Sequence, residues 1–338
     1  MTFLSIGDLA QSFRLRNHDV QLKRTMIRLT EEMTTGLVAD TASAVHGDYA
    51  ALAGIERSLI RAEAFRTAAN EAASVTETVQ IALESSQAQL NAAMPSLLAA
   101  SHAMTDQQID TLAQATRQRL GSVLSTLNAR VADRYVFSGM ATDSPAVSDS
   151  VTLVAAAQVA VAGQASAGTV AAALQIWFDL PAGSGGFLDQ IYGGSQDALA
   201  AFQLSEGESA RLGITAADPA IRDSLRGLVL ASLVDSGVLA GDREGRANLL
   251  RTAGETLVNA EASVTGLRAD LGATEEVIDA AATRAASERH RLQIARNDIL
   301  AVDPYDTASA LEAVKSQTEM LYTLTGRLSQ LRLSDYLK

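Results

Sequence analysis

Apolar side chains recur near the start of the chain at Leu15, Leu22, Met26, Leu29 and Met33, in steps of seven, four, three and four. That spacing lines them up on one stripe of an α-helix and predicts a coiled-coil seam. Gly36 follows as a C-cap residue, and residues 37–49, with Gly47 among them, read as an irregular connector. From Ala50 to Leu98 only Gly54 and Pro95 interrupt a pattern in which Ile55, Leu59, Ala62, Ala69, Val79, Leu83 and Leu90 keep roughly helical spacing. A long helix is expected there. Thr105 or Asp106 supplies a cap for the next one, whose stripe runs through Ile109, Leu112, Leu120, Leu124, Leu127 and Val131. Together these two segments predict a helical hairpin.

The pattern changes after Arg134. Ser, Gly, Asp and Pro cluster over residues 138–150, followed by Val/Ala runs, the single tryptophan Trp177 and a glycine-rich stretch at 183–186 that reads as a flexible surface loop. Residues 200–204 and 209–215 flank Ser205, Glu206, Gly207 and Glu208, a turn-forming quartet that predicts a β-hairpin. Asp218-Pro219 then opens a helix with Ile221, Leu225, Leu228 and Ser232 on its stripe, ending near Gly237 and Gly241. Asp242 caps a further helix reaching about Ala301, with Leu249, Leu257, Val264, Leu267, Leu271 and Ile278 along it. At 1.5 Å per residue such a helix is roughly 90 Å long. Asp303-Pro304 stops it, because proline disfavours the helical conformation in the residue before it and has no N–H to donate. A last stripe, Leu311, Val314, Leu321, Leu324, Leu328 and Leu331, steps by three, seven, three, four and three, which predicts a second coiled-coil seam.

The order is therefore symmetric about the middle of the chain: seam, break, hairpin, mixed insertion, long helix, break, seam. It predicts a mainly α fold, an elongated helical rod of paired N- and C-terminal coiled-coil helices with a small inserted mixed α/β domain. The expected domains are a terminal coiled-coil assembly domain (1–40 with 304–338), a helical rod domain (41–139 with 242–303) and an inserted variable domain (140–241).

Composition narrows what such a fold does. With 338 residues, 4% aromatics and five prolines, the 47% apolar content is mostly small or straight-chain and favours long helices over one thick core. A net charge of -12 excludes a nucleic-acid surface, which needs clustered cations to neutralise phosphates. The absence of cysteine removes disulfides, thiolate metal sites and a cysteine nucleophile together. No apolar run reaches the ~20 residues of a membrane span. Residues 1–13 carry Asp8 and no cation before Arg14 and Arg16, so a cleaved secretory signal is not expected.

Chemistry is equally sparse. His18, His46, His102 and His290 have no partner histidine at helical ligand spacing, so no metal is expected. Gly183-Ser184-Gly185-Gly186 matches no phosphate-binding pattern, and no serine sits in a nucleophile elbow. The reading is a non-enzyme with no cofactor. Tyr135, Phe137 and Trp177 are expected to be core residues.

Several motifs resemble one family. Leu29-Thr30-Glu31-Glu32-Met33-Thr34-Thr35-Gly36, Arg134-Tyr135-Val136-Phe137-Ser138-Gly139, Asp303-Pro304-Tyr305-Asp306 with Gln317, and the closing Leu328-Ser329-Gln330-Leu331-Arg332-Leu333-Ser334-Asp335-Tyr336-Leu337 are similar to patterns of the bacterial flagellins. Among the flagellins they resemble hook-associated proteins of the FlgL type, over about residues 1–140 and 240–338. Ala44-Val45-His46-Gly47 departs from the family's Asp-rich, Pro-containing pattern.

The resemblance implies a structural subunit exported unfolded through the flagellar type III channel to the extracellular flagellum, where it joins hook to filament. Its partners would be copies of itself, a neighbouring hook-associated protein, flagellin and an export chaperone, without membrane insertion. Two seams with one apolar stripe each do not make a substantial isolated core, so neighbours are expected to cover Leu15, Leu22, Met26, Leu29, Met33, Leu311, Val314, Leu321, Leu324, Leu328 and Leu331. The alternatives are the filament flagellin itself or, from a different class, a soluble helical-bundle binding module or an enzyme with its site in 140–241.

Overall fold

The computed structural model describes residues 6–336. The fold is mainly α with two small antiparallel hairpins, and it divides into two compact units, Met1–Glu63 with Ala286–Lys338, and Ala64–Ala285.

The first unit holds α1 (Ile6–Thr35), the single turn α2 (Thr41–Ala44), the beginning of α3 (Ala50–Leu98), the end of α9 (Arg243–Leu300) and α10 (Pro304–Tyr336). α1 ends where the sequence pattern breaks: Gly36 takes φ +71, and its N–H donates to the Glu32 carbonyl at 2.8 Å. The chain then runs alongside the other break. Val38 N–H donates to the Leu300 carbonyl at 2.8 Å, Val302 N–H donates to the Gly36 carbonyl at 3.1 Å, and Leu37 and Ala301 form an antiparallel bridge. The segment read as an irregular connector thus begins with an ordered clasp between the ends of α1 and α9. α10 restarts with Pro304 in its first turn, and the Asp303 carboxylate accepts the Tyr305 N–H at 2.8 Å. Along α3 and α9 in this unit, Glu56 pairs with Arg296 at 2.5 Å and Glu63 with Arg289 at 3.3 Å. The acids and the bases are each seven residues apart, which fixes an antiparallel register.

The second unit is built around α8 (Pro219–Asp235), buried from Ala220 to Val234 on nearly every side. α4 (Asp106–Leu127), α5 (Ser150–Ala160) and α6 (Ala167–Asp179) pack around it. Capping sets their starts: Thr105 and Gln108 form a capping box, Asp149 accepts the Val151 and Thr152 N–H groups, and Asp218 precedes Pro219. α5 and α6 occupy the Val/Ala runs whose type the sequence pattern left open. The remainder of this unit is β1 (Arg130–Val131), β2 (Arg134–Tyr135), α7 (Phe187–Gln190), β3 (Phe202–Ser205) and β4 (Glu208–Ala210), with the adjoining parts of α3 and α9. The β3–β4 pair forms the hairpin expected around Ser205–Glu208. In this unit Arg268 of α9 donates to Gln87 at 2.6 Å and pairs with Glu84 of α3 at 3.3 Å.

Val131 corrects the reading of the α4 stripe. The helix stops at Leu127, and Asn128 turns the chain aside by exchanging two hydrogen bonds with the Val147 backbone, at 2.9 and 3.1 Å, so Val131 lies in β1. Trp177, Phe178 and Phe187 form an aromatic cluster with centroids 5.0–6.2 Å apart. Phe137 is fully buried, and Tyr135 is half-buried beneath the Arg130 guanidinium, 4.9 Å from its ring centre.

Candidate assembly interface

α1 and α10 pack side by side within the first unit. Leu22 and Leu29 of α1 are buried with Val314 and Leu321 of α10, and Leu15, Met26, Ala310 and Leu311 pack against them. Each helix contributes a pair of buried positions seven residues apart, so the two stripes found separately in the sequence face each other in one chain. Among the described residues, four buried apolar positions along the two helices make a thin seam.

Not every stripe residue joins it. Met33 is 47% exposed, because Glu32 takes the buried position at that end. The Glu32 carboxylate accepts from Arg28 at 2.9 Å and from the Ala39 N–H at 3.1 Å, tying the end of α1 to the clasp beyond Gly36. Leu324 is 55% exposed, since Leu321 fills the seam one turn earlier. Leu328 is half-buried in a groove, and the side chain of Leu331 lies outside the described residues.

That groove runs between the two helices, with a volume of about 320 Å3. Leu15, Leu321, Leu328 and Tyr322 provide its apolar lining, and Arg16 and Asp19 stand among its polar groups. Asp19 accepts from Lys23 at 2.9 Å through Oδ2, and the Lys23 ammonium lies 5.9 Å from the centre of the Tyr322 ring. The bond from Lys23 holds the Asp19 carboxyl below its usual range, with the Tyr322 hydroxyl adding to the effect. The same bond raises Lys23 above its usual value. Oδ1 of Asp19 is buried and has no hydrogen-bond donor.

The outer face of α1 carries a second set of apolar residues outside the leucine stripe. Phe13, Val20 and Ile27 are exposed, Phe13 by 64% and Ile27 by 66%. With Asn17 and Arg24 between them they step by four, three, four and three, a helical signal present in the sequence but eclipsed by the stronger leucine stripe. Met320 and Tyr322 of α10 are exposed as well. Among the described residues no group of three His, Asp or Glu is placed to hold a metal ion. No described helix is long and apolar enough to cross a membrane.

Residues 255–337 match the bacterial flagellin C-terminal helical region. The match takes in the later part of α9 and α10, the helix that supplies half of the seam. Over three quarters of the chain the fold is similar to a solved structure described as that of a flagellar hook-associated protein from Vibrio parahaemolyticus. The TM-score is 0.55 at 14% identity, covering 75% of this chain and 99% of that one. Among curated proteins no sequence match is found.

Proposed function

We propose that this chain is a structural, non-enzymatic subunit of the bacterial flagellum, placed at the junction of hook and filament. The observation that carries the reading is a coincidence of place. The flagellin C-terminal match covers α10, and α10 with α1 forms a pair whose seam is thin and whose outer faces remain apolar. Such a pair is stabilised by neighbours that cover Phe13, Val20, Ile27, Met33, Met320 and Leu324. Neighbouring copies, an adjacent hook-associated protein and flagellin are the partners this reading names. A head-to-tail contact that does not close into a ring yields a tubular stack. Export through the flagellar type III channel, with a chaperone shielding the terminal helices, belongs to the same reading.

The test is deletion of the gene. The expected phenotype is cells that keep their hooks, lack filaments and release filament protein into the medium. Cells that lose motility because no filament protein is made at all point to the filament subunit itself. Immunogold labelling along the whole filament, in place of one band beside the hook, points the same way. Normal flagella in the deletion strain overturn the flagellar reading altogether.

A further inference from the structure

Asp19 stands where α10 closes on α1, and its two carboxylate oxygens fare differently. Oδ2 accepts from Lys23 at 2.9 Å, four residues along the same helix. That bond forms equally well in α1 alone, where water reaches both oxygens. In the closed pair Oδ1 is buried and has no hydrogen-bond donor. Leu15, Leu321, Leu328 and Tyr322 line the same groove. Closure therefore takes water from Oδ1 and puts nothing in its place, a cost that falls on the pairing step and not on the helix. α10 does bring Tyr322, whose ring centre lies 5.9 Å from the Lys23 ammonium, but that ring is exposed and the contact correspondingly weak. The Lys23 bond keeps the Asp19 carboxyl charged, while burial works against the charged form and outweighs the Tyr322 hydroxyl.

We propose that Asp19 is a conformational device that opposes closure of the α1–α10 pair, so that in the free chain the two terminal helices part readily. The seam it works against rests on Leu22, Leu29, Val314 and Leu321. A buried acceptor without a donor offsets about as much as the burial of one such side chain contributes, so a single carboxylate weighs heavily in a seam this thin. For its purpose the device rests on the flagellar reading above: helices that part readily can exchange each other for neighbours.

Hydrogen exchange of the purified full-length chain at neutral pH, followed segment by segment, measures how often α1 and α10 part. Asp19→Ala is expected to slow exchange across both helices several-fold. The slowing should exceed that of Asn17→Ala, an exposed position on the same helix that reports the gain in helix propensity alone. Lys23→Ala is expected to speed exchange, because Oδ2 then loses its bond as well. Segments of the second unit serve as the control and are expected to exchange alike in all three variants.

An ordinary stabilising ion pair would make Asp19→Ala and Lys23→Ala both speed exchange, and that result overturns the proposal. Slowing by Asp19→Ala no greater than that by Asn17→Ala overturns it too. Either failure leaves the flagellar reading standing, since the measurement is made on the free chain. That reading fails separately, through normal flagella in the deletion strain.

Discussion

Two carbonyl oxygens decide what residue 139 can be. Gly139 sits at φ +58, and a Cβ placed on it meets the Asp197 oxygen at 2.3 Å and the Ser195 oxygen at 2.5 Å. Gly163 has a similar φ of +81 with open space around it. Gly163→Ala is expected to cost about 1 kcal/mol through backbone strain alone, and Gly139→Ala about 3 kcal/mol or more because the backbone must also move. Urea unfolding of the two variants measures the difference, and equal costs would refute the close approach. The glycine of the aromatic-glycine motif was visible in the sequence, but its reason was not, because Asp197 and Ser195 lie almost sixty positions further on.

The glycine-rich loop teaches the opposite lesson. Read as flexible, residues 183–186 are in fact clasped by Asp189, whose carboxylate accepts the N–H groups of Gly183 at 2.7 Å and Gly185 at 2.6 Å. These bonds favour the ionised form and hold the Asp189 carboxyl below its usual range. A carboxyl lowered in the folded state stabilises above its ordinary unfolded pKa of about 3.9, and the contribution is lost as pH falls through the lower folded value. The amides of Gly183 and Gly185 are therefore expected to be protected from hydrogen exchange at neutral pH and to lose that excess protection in acid. Asp189→Asn is expected to flatten this dependence, and an unchanged profile in the variant would sink the clasp.

At the scale of elements, heptad spacing made the terminal helices legible, since a step of seven keeps Leu22 with Leu29 and Val314 with Leu321 whatever covers them. Steps of three and four are less decisive. They also reach positions one turn off the seam within the chain, such as the exposed Met33 and Leu324. α5 was unreadable for a different reason: Ser150, Thr152 and Gln158 are its polar residues, so its sequence has little polar–apolar alternation from which to read a period. The groove was hidden too, because it exists only once two helices far apart in the chain are side by side. Because the α1–α10 seam is thin, Leu321→Ala is expected to remove about 2–3 kcal/mol from the pair. The buried cluster of the second unit contains no residue of α10, so its unfolding transition should stay where it is. Limited proteolysis read by mass spectrometry is expected to show faster trimming of both α1 and α10. Trimming of α10 alone would mean that the two helices do not depend on each other.

For the whole molecule, the larger core and the proposed assembly surface fall in different units. The second unit has a continuous core running from Ala69 to Ala281 through α8, whereas the terminal seam rests on Leu22, Leu29, Val314 and Leu321. Removing residues 307–338 takes away Val314 and Leu321, and with them the partners of Leu22 and Leu29, but nothing from the larger core. The truncated chain is expected to keep a cooperative thermal transition and the near-ultraviolet signal of Trp177, which lies in the second unit. α1, left without its seam partner, is expected to become a substrate for proteases. In a strain lacking the natural copy, that chain should fail to enter the flagellum and should not restore motility, although it is made and folded through its larger unit. Incorporation at the normal level would show that the terminal helices are dispensable, and the functional site would then have to be sought on the surface of the second unit.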